Sequence, residues 1–458
     1  MTESIAETSK NQKIIFNNEF IDKIIVDIEA ANNSEIKSLL KGLHAADIAE
    51  LLEFLSTDQR TYLLNQLDGS NYTDVLAELD DSIIDQTINL LQHEKVAKSI
   101  SDMETDDAVG LIESLEPDTQ KKILDKVSAE DREIFKESLN YPEDTAGRRM
   151  QKEIVSMPSF WTVGQAIDYL RDEEELPEDF FELFIVDPSN KPLGSVSVSK
   201  VLRSNRKIRL NDITIESPIF IPADMDQEEA AMIFEKYSLV SAGVVDKNGR
   251  LIGRLTADDI MWVLQEEAEE DILRMGGVIE TEMNQGIIKS TRKRFIWLFL
   301  NLLTAILASI VISFFDASIE KMVALAVLMP IVASMGGNAG TQTLTLTVRA
   351  LATKDLVQNN RRKIFSKEIS ISILNSIIFA IITAVAAQLW FQDFYLSIIV
   401  GSAMIVNILS AGFFGFLIPY GLNYFRVDPA IASSVFVTTI TDVVGFLSFL
   451  GLASIFLF

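Results

Sequence analysis

The chain has 458 residues, 66 of them acidic and 40 basic, with two histidines, no cysteine and a formal net charge of −26. At a mean hydropathy of +0.22 it is too long for one ordinary domain and too apolar to be wholly soluble. The lack of thiols excludes disulfides, thiolate metal sites and cysteine nucleophiles, and His44 and His93, both in helical patterns, make an imidazole-rich zinc site a poor reading. Beyond residue 294 seven acidic residues face eight basic ones, so the charge belongs to the preceding part, with 59 acidic and 32 basic. Such a surface repels nucleic acid and anionic lipid, and its natural small partner is a cation.

Residues 1–17 have no apolar core of the signal-peptide kind. They are expected to form a disordered tail, with the N-terminus in the cytoplasm. Residues 18–147 read as short amphipathic helices, in which Leu51, Leu52, Leu55, Leu63, Leu64 and Leu67 recur at helical spacing. Asp47 to Leu55 matches Asp107 to Leu115 sixty residues later, and Asp58 matches Asp118 at expected helix starts. This predicts a helical-repeat domain.

From about residue 150 the pattern changes. Phe184-Ile-Val-Asp187 and Gly243-Val-Val-Asp246 are short β runs at an offset of 59 residues, followed by Leu193-Gly194 and Ile252-Gly253 at the same offset. Helical patterns flank each pair, giving two β-α-β-β-α units over 148–207 and 208–264 that resemble a tandem pair of CBS domains. Residues 265–293 begin with the acidic run Glu266 to Asp271 and pass a Gly276-Gly277 break. They read as a connecting helix, which a merely solvated helix would also satisfy.

Residues 294–458 hold five apolar stretches, near 295–315, 320–350, 369–391, 395–425 and 429–457. Lys289, Arg292, Lys293 and Arg294 precede the first, and Arg349, Lys354, Arg361, Arg362, Lys363 and Lys367 lie between the second and third. Positive charge on one side puts the N-terminal domains and these loops inside, and an odd number of crossings puts Phe458 outside. The fold class is therefore multidomain: an all-α superhelical N-terminal domain, an α/β tandem pair, a connecting helix and a polytopic α-helical membrane domain with five spans.

The last span carries a carboxylate, Asp442, at membrane depth. Such a group normally faces a pore, a cavity or a partner, since insertion costs roughly 2.5 to 3.5 kcal/mol. It is either a cation site or a packing acid hydrogen-bonded by Thr438, Thr439 or Thr441. Ser434, Thr438 and Asp442 are four apart and form one polar stripe, as do Thr341 and Thr345 in the second span. The cluster Met335 to Gln342, including Asn338, either exposes backbone carbonyls to an ion path or packs helices closely through its small residues. Oxygen ligands without thiol or imidazole favour a hard cation such as Mg²⁺, which keeps several of its waters.

These pieces resemble the MgtE family of magnesium channels along nearly the whole chain. The resemblance rests on Tyr141-Pro-Glu-Asp-Thr-Ala-Gly147, Gly336-Gly-Asn-Ala-Gly-Thr-Gln342, Asp428-Pro-Ala430 and Thr441-Asp-Val-Val-Gly445. It implies a membrane-embedded homodimer, surrounded by lipid, with a central pore in which Asp442 recognises hydrated Mg²⁺ and Asn338, Thr341, Thr345, Ser434 and Thr438 line the path. It also implies a cytoplasmic Mg²⁺ sensor that closes the pore. Asp259, Glu267, Glu270, Asp271 and Asp428 match its acidic positions, while Trp262 stands where many relatives carry an acid. Thr256 and Asp259 further resemble the CBS pattern that holds a nucleotide ribose, which implies ATP or another adenine nucleotide as a second ligand.

The expected function is thus Mg²⁺ import down its electrochemical gradient, with no chemical reaction. Rival readings are a carrier for Co²⁺ or Mn²⁺ and a non-conducting sensor reporting through its CBS pair. An intramembrane hydrolase is disfavoured because no second catalytic acid, serine–base pair or ligand set accompanies Asp442 in the spans.

Overall fold

The computed structural model describes residues 18–457 apart from 68, 174–175, 178, 216–217, 279–286, 355 and 357–359, and leaves the side chains of 81, 287, 289, 293 and 431–433 undescribed. The tail expected over 1–17 lies outside the described residues. The chain divides into two compact units, residues 1–265 and 266–458.

The first unit opens with ten short helices: α1 (Asn18–Glu29), α2 (Asn33–Leu40), α3 (Ala45–Glu53), α4 (Thr57–Leu64), α5 (Ser70–Ala77), α6 (Asp81–Ile88), α7 (His93–Ser101), α8 (Thr105–Glu113), α9 (Pro117–Leu124) and α10 (Ala129–Leu139). Their starts follow local chemistry. His44 and Asp47 form a capping box on α3, Ser56 and Gln59 one on α4, and Pro117 opens α9 where no N–H is needed. The sixty-residue repeat is visible as α3–α4 against α8–α9. The expected leucines are all buried, in one core with Val96, Ile100, Ile112 and Ile123. His44 accepts from the Ala46 N–H at 3.3 Å, so it caps a helix.

Two three-stranded sheets follow, each with one parallel and one antiparallel pairing. The first has β1 (Ser156–Pro158), α11 (Val163–Asp172), β2 (Glu182–Val186), β3 (Pro192–Ser197) and α12 (Val198–Arg203). A short α13 (Leu210–Ile213) leads to the second, with β4 (Phe220–Pro222), α14 (Gln227–Tyr237), β5 (Ser241–Val245), β6 (Leu251–Thr256) and α15 (Ala257–Met275). Both copies shift register at equivalent places, Ile185/Val186 and Val244/Val245, as a duplicated unit should. Ala146 and Met150 sit in the core of the second copy, although they precede the first in sequence. Backbone bonds from Ala146 and Gly147 to Met225 and Ala223 at 2.8 Å hold them there, so the segment packs continuously through residue 147.

The second unit contains α16 (Ile287–Ser313), α17 (Asp316–Lys321), α18 (Ala324–Ala352), α19 (Arg361–Phe391), α20 (Phe394–Tyr424) and α21 (Pro429–Phe456). Five of these are long and apolar enough to cross a membrane. Three starts differ from expectation, the first being α16, which begins at Ile287 rather than near 295. Extended backbone at Met322 ends α17 and delays the second crossing to residue 324. The third helix begins at Arg361, eight residues before the apolar run, because long basic side chains extend a helix past the hydrocarbon while keeping their charge in water. Gln392, in left-handed backbone at φ 54°, and Asp393, whose side chain accepts from the Leu396 N–H at 3.0 Å, make the tight turn from α19 into α20. Within this unit α20 is the most buried helix and α16 the least.

Candidate functional site

Three groups of polar residues stand out, one among the membrane helices and two in the acidic parts. In the first, α18 is unbroken through Met335 to Gln342, which corrects the reading of exposed carbonyls there. The glycines bring helices together instead. A methyl at Gly340 would lie 2.5 Å from Val437 Cγ1 and 3.6 Å from Thr441 Cγ2, and one at Gly337 would lie 3.5 Å from Thr438 Cγ2. The small residues let α18 and α21 touch, as close membrane packing requires.

On these touching helices Asn338, Thr341, Thr345 and Thr438 are exposed, and Ser434 and Asp442 partly so. Thr341 donates its hydroxyl to the Gly337 carbonyl at 2.9 Å and Thr345 to that of Thr341 at 2.9 Å, while Thr438 donates to that of Ser434. With their protons turned back into the helix, these hydroxyls present outward only acceptor lone pairs. Thr439 and Thr441 likewise donate to backbone carbonyls, at 2.6 and 3.0 Å from those of Val435 and Val437. The Asp442 carboxylate takes no hydrogen bond or ion pair among the described residues.

The second group lies at the end of α15. Arg274 forms ion pairs with both Glu270 and Asp428, while the other Asp428 oxygen caps α21 by accepting from the Ala430 N–H at 2.7 Å. Met275 packs against Leu344, Val348 and Ala430, directly beside the pore candidate Thr345 in sequence. Burial, and then the charge of Asp428, push the Asp271 carboxyl upward. Glu270, Asp271 and Asp428 are thus brought together with Arg274, which the sequence reading missed. The signal was its spacing of four after Glu270.

In the third group α8 meets the start of α15. Gln151 Nε2 donates to Glu104, Asp106 and Asp259 at 3.1, 3.1 and 3.3 Å, and its Oε1 accepts from Arg254 Nε at 2.8 Å. Burial, then the charge of Asp259, drives the Asp106 carboxyl well above its ordinary range. The same two causes push Asp107 up to about 7. Burial also raises Glu104 and Asp259, and Arg254 partly offsets the rise at Glu104. Thr256 donates to Asp259, so the pair read as a ribose clasp is engaged in this cluster. Of these residues only Asp259 and Thr256 were singled out as ligands. Glu104, Asp106 and Asp107 were legible as an acidic first turn, but their meeting with Gln151 and Arg254 was not. Among the described residues no three acidic or histidine side chains have converged to hold an ion. Oxygen donors for a hard cation are present, held by Gln151, Arg254 and Arg274 instead.

Comparison with known proteins shows the family. The MgtE divalent cation transporter family matches residues 329–452, its intracellular N domain matches 43–144, and a CBS domain matches 210–266. The magnesium transporter MgtE of Bacillus subtilis is 30% identical over 336 residues, covering 73% of this chain and 74% of that protein. The chain belongs to the MgtE family. Its soluble part resembles the crystal structure of the soluble part of a magnesium transporter, at 25% identity and a TM-score of 0.50, covering 55% of this chain and 98% of that one. The cytosolic domain of the Mg²⁺ channel MgtE in complex with ATP shares the fold, at 22% identity and a TM-score of 0.50, covering 53% of this chain and 99% of that one. The MgtE transporter match includes both polar stripes, and the N-domain match includes Glu104 to Asp107.

Proposed function

We propose that this MgtE chain is a Mg²⁺-selective channel that works as a homodimer and imports the ion down its electrochemical gradient. The observation that carries the reading is the Asp442 carboxylate, without a partner among the described residues, beside hydroxyls that offer only acceptor lone pairs. A hydrated Mg²⁺ turns water hydrogens outward, so Asn338, Thr341, Thr345, Ser434 and Thr438 would accept from its water shell while Asp442 supplies the charge. One carboxylate per chain attracts the ion without stripping or trapping it. Two copies across a dimer axis would double that attraction. The basic flanks of the spans favour cytoplasmic N and CBS domains and an external C-terminus.

Regulation is assigned to the acidic groups. Glu104, Asp106, Asp107 and Asp259, with Glu267, Glu270, Asp271 and Asp428 near the membrane, are the oxygen donors for cytoplasmic Mg²⁺, which supplies the charge that lets them approach one another. To take that role the carboxyls of the first set exchange their bonds to Gln151 and Arg254, and Asp428 exchanges its bond to Arg274. Adenine nucleotide at Thr256 and Asp259 would have to displace Gln151 from Asp259.

The test is Mg²⁺ uptake into proteoliposomes, wild type against Asp442→Ala, with Co²⁺ and Mn²⁺ as competitors. Uptake lost in the variant and weak competition support the reading. Unchanged uptake in Asp442→Ala removes the pore assignment, and stronger uptake of Co²⁺ or Mn²⁺ than of Mg²⁺ reassigns the ion.

A further inference from the structure

Asn407 lies at the middle of α20, fully buried, in the most enclosed of the membrane helices. Its Nδ2 donates to the Val332 carbonyl of α18 at 2.7 Å, and its Oδ1 takes no hydrogen bond among the described residues. A carbonyl inside a helix already accepts one backbone N–H, so the Asn407 amide uses the second lone pair and pins α18 to α20.

The amide also touches two glycines on different helices. A methyl at Gly336 of α18 would overlap it, and a methyl at Gly445 of α21 would sit 2.7 Å from Nδ2 and 3.2 Å from Cγ. Each glycine belongs to a stretch that holds one stripe residue, Met335 to Gln342 with Thr341 and Thr441 to Gly445 with Asp442. Gly445 is three residues from Asp442, about 4.5 Å along the helix, and Gly336 is five from Thr341, about 7.5 Å.

We propose that Asn407 is a positioning residue for ion selection: wedged between Gly336 and Gly445, it sets the separation of α18 and α21 and thereby the width available between Thr341, Thr345 and Ser434, Thr438, Asp442. The inference rests on the reading of those stripes as the lining of a Mg²⁺ path. Removing the amide lets the two helices close or slide, and enlarging either glycine pushes them apart. Either change alters which ion and how much of its water shell the path admits. Cores resist such changes because they are packed like solids.

The experiment compares full-length wild type, Asn407→Leu, Gly445→Ala and the double variant Asn407→Ala/Gly445→Ala in liposomes, each recovered as a folded species in detergent. It reads half-saturating Mg²⁺ and the ratio of Mg²⁺ to K⁺ permeation, which the yield of folded protein does not move. Each single variant is expected to change one or both about tenfold, the scale of overpacking or of a lost buried hydrogen bond. The double variant, which gives the added methyl its room, should recover part of the ratio lost in Gly445→Ala. Wild-type values in a folded single variant overturn the proposal. If neither single variant folds, the double variant decides, a wild-type ratio overturning the proposal and a shifted one supporting it. No Mg²⁺ flux through the wild type would sink the pore reading itself, whereas normal wild-type flux with unaltered variants sinks only the role of Asn407.

Discussion

The membrane helices and the α8–α15 contact handle oxygen in opposite ways. Between the spans, acidity is sparse, with the Asp442 carboxylate lacking a partner among the described residues, beside hydroxyls whose protons are spent on their own helices. At the α8–α15 contact Glu104, Asp106, Asp107 and Asp259 are crowded, and burial and neighbouring negative charge push their carboxyls above the ordinary range. A path through which ions must leave quickly needs a shallow well, and a sensor needs crowded carboxylates whose mutual repulsion only a high ion concentration relieves. The difference teaches that one chain can use the same ligand chemistry twice by changing its density.

Breaking the sparse side should give the largest effect. Asp442→Asn keeps the shape and removes the charge, and uptake should fall by about two orders of magnitude, the scale for losing a desolvated charge interaction. Thr341→Val removes an outward acceptor while preserving bulk. It should lower uptake by about tenfold at most, near the scale of one hydrogen bond.

On the crowded side the consequence is pH dependence. The native carboxyls bind more protons than the unfolded chain does, so stability without Mg²⁺ falls as pH rises from the ordinary carboxylate range through about 7, the position of Asp107. Thermal unfolding of the full chain in chelator should therefore show a midpoint that declines across that window, and Asp107→Asn should flatten the decline. A midpoint that climbs with pH would contradict the cluster as described. Because protons and Mg²⁺ compete for these oxygens, closure should need more Mg²⁺ in acid than in mild alkali.

The smallest expected effect concerns Arg274. Arg274→Gln leaves Glu270 and Asp428 without their shared guanidinium, so Mg²⁺ should close the channel at a concentration lower by about threefold, as fits a partly exposed ion pair. Closure that requires more Mg²⁺ in this variant would mean that Arg274 helps the closed form rather than competing with the ion.

What the sequence revealed was local in origin. The leucines from 51 to 67, the 59-residue offset of the β runs and the four-residue steps to Asp442 are periodicities, and each reappears as buried helix faces, duplicated sheets and one polar stripe. What stayed hidden depends on partners far along the chain. Gln151 meets Glu104 and Asp259 across 47 and 108 residues, and Asn407 reaches Val332 across 75. Asn407 left one trace, an amide near the middle of a largely apolar helix, which must find a partner where water is absent. Gly336 to Gly340 left two readings open, since small residues serve a broken helix and a close contact equally well until the opposing surface is known.

The most direct test of the sparse-path, dense-sensor account is current through the purified protein in a planar bilayer, recorded while Mg²⁺ is varied on the side facing the soluble domains. The account predicts a Mg²⁺ current that diminishes as that concentration rises through the millimolar range and that falls by about two orders of magnitude in Asp442→Asn. A current indifferent to the ion on that side, or one undiminished by loss of the Asp442 charge, would contradict it.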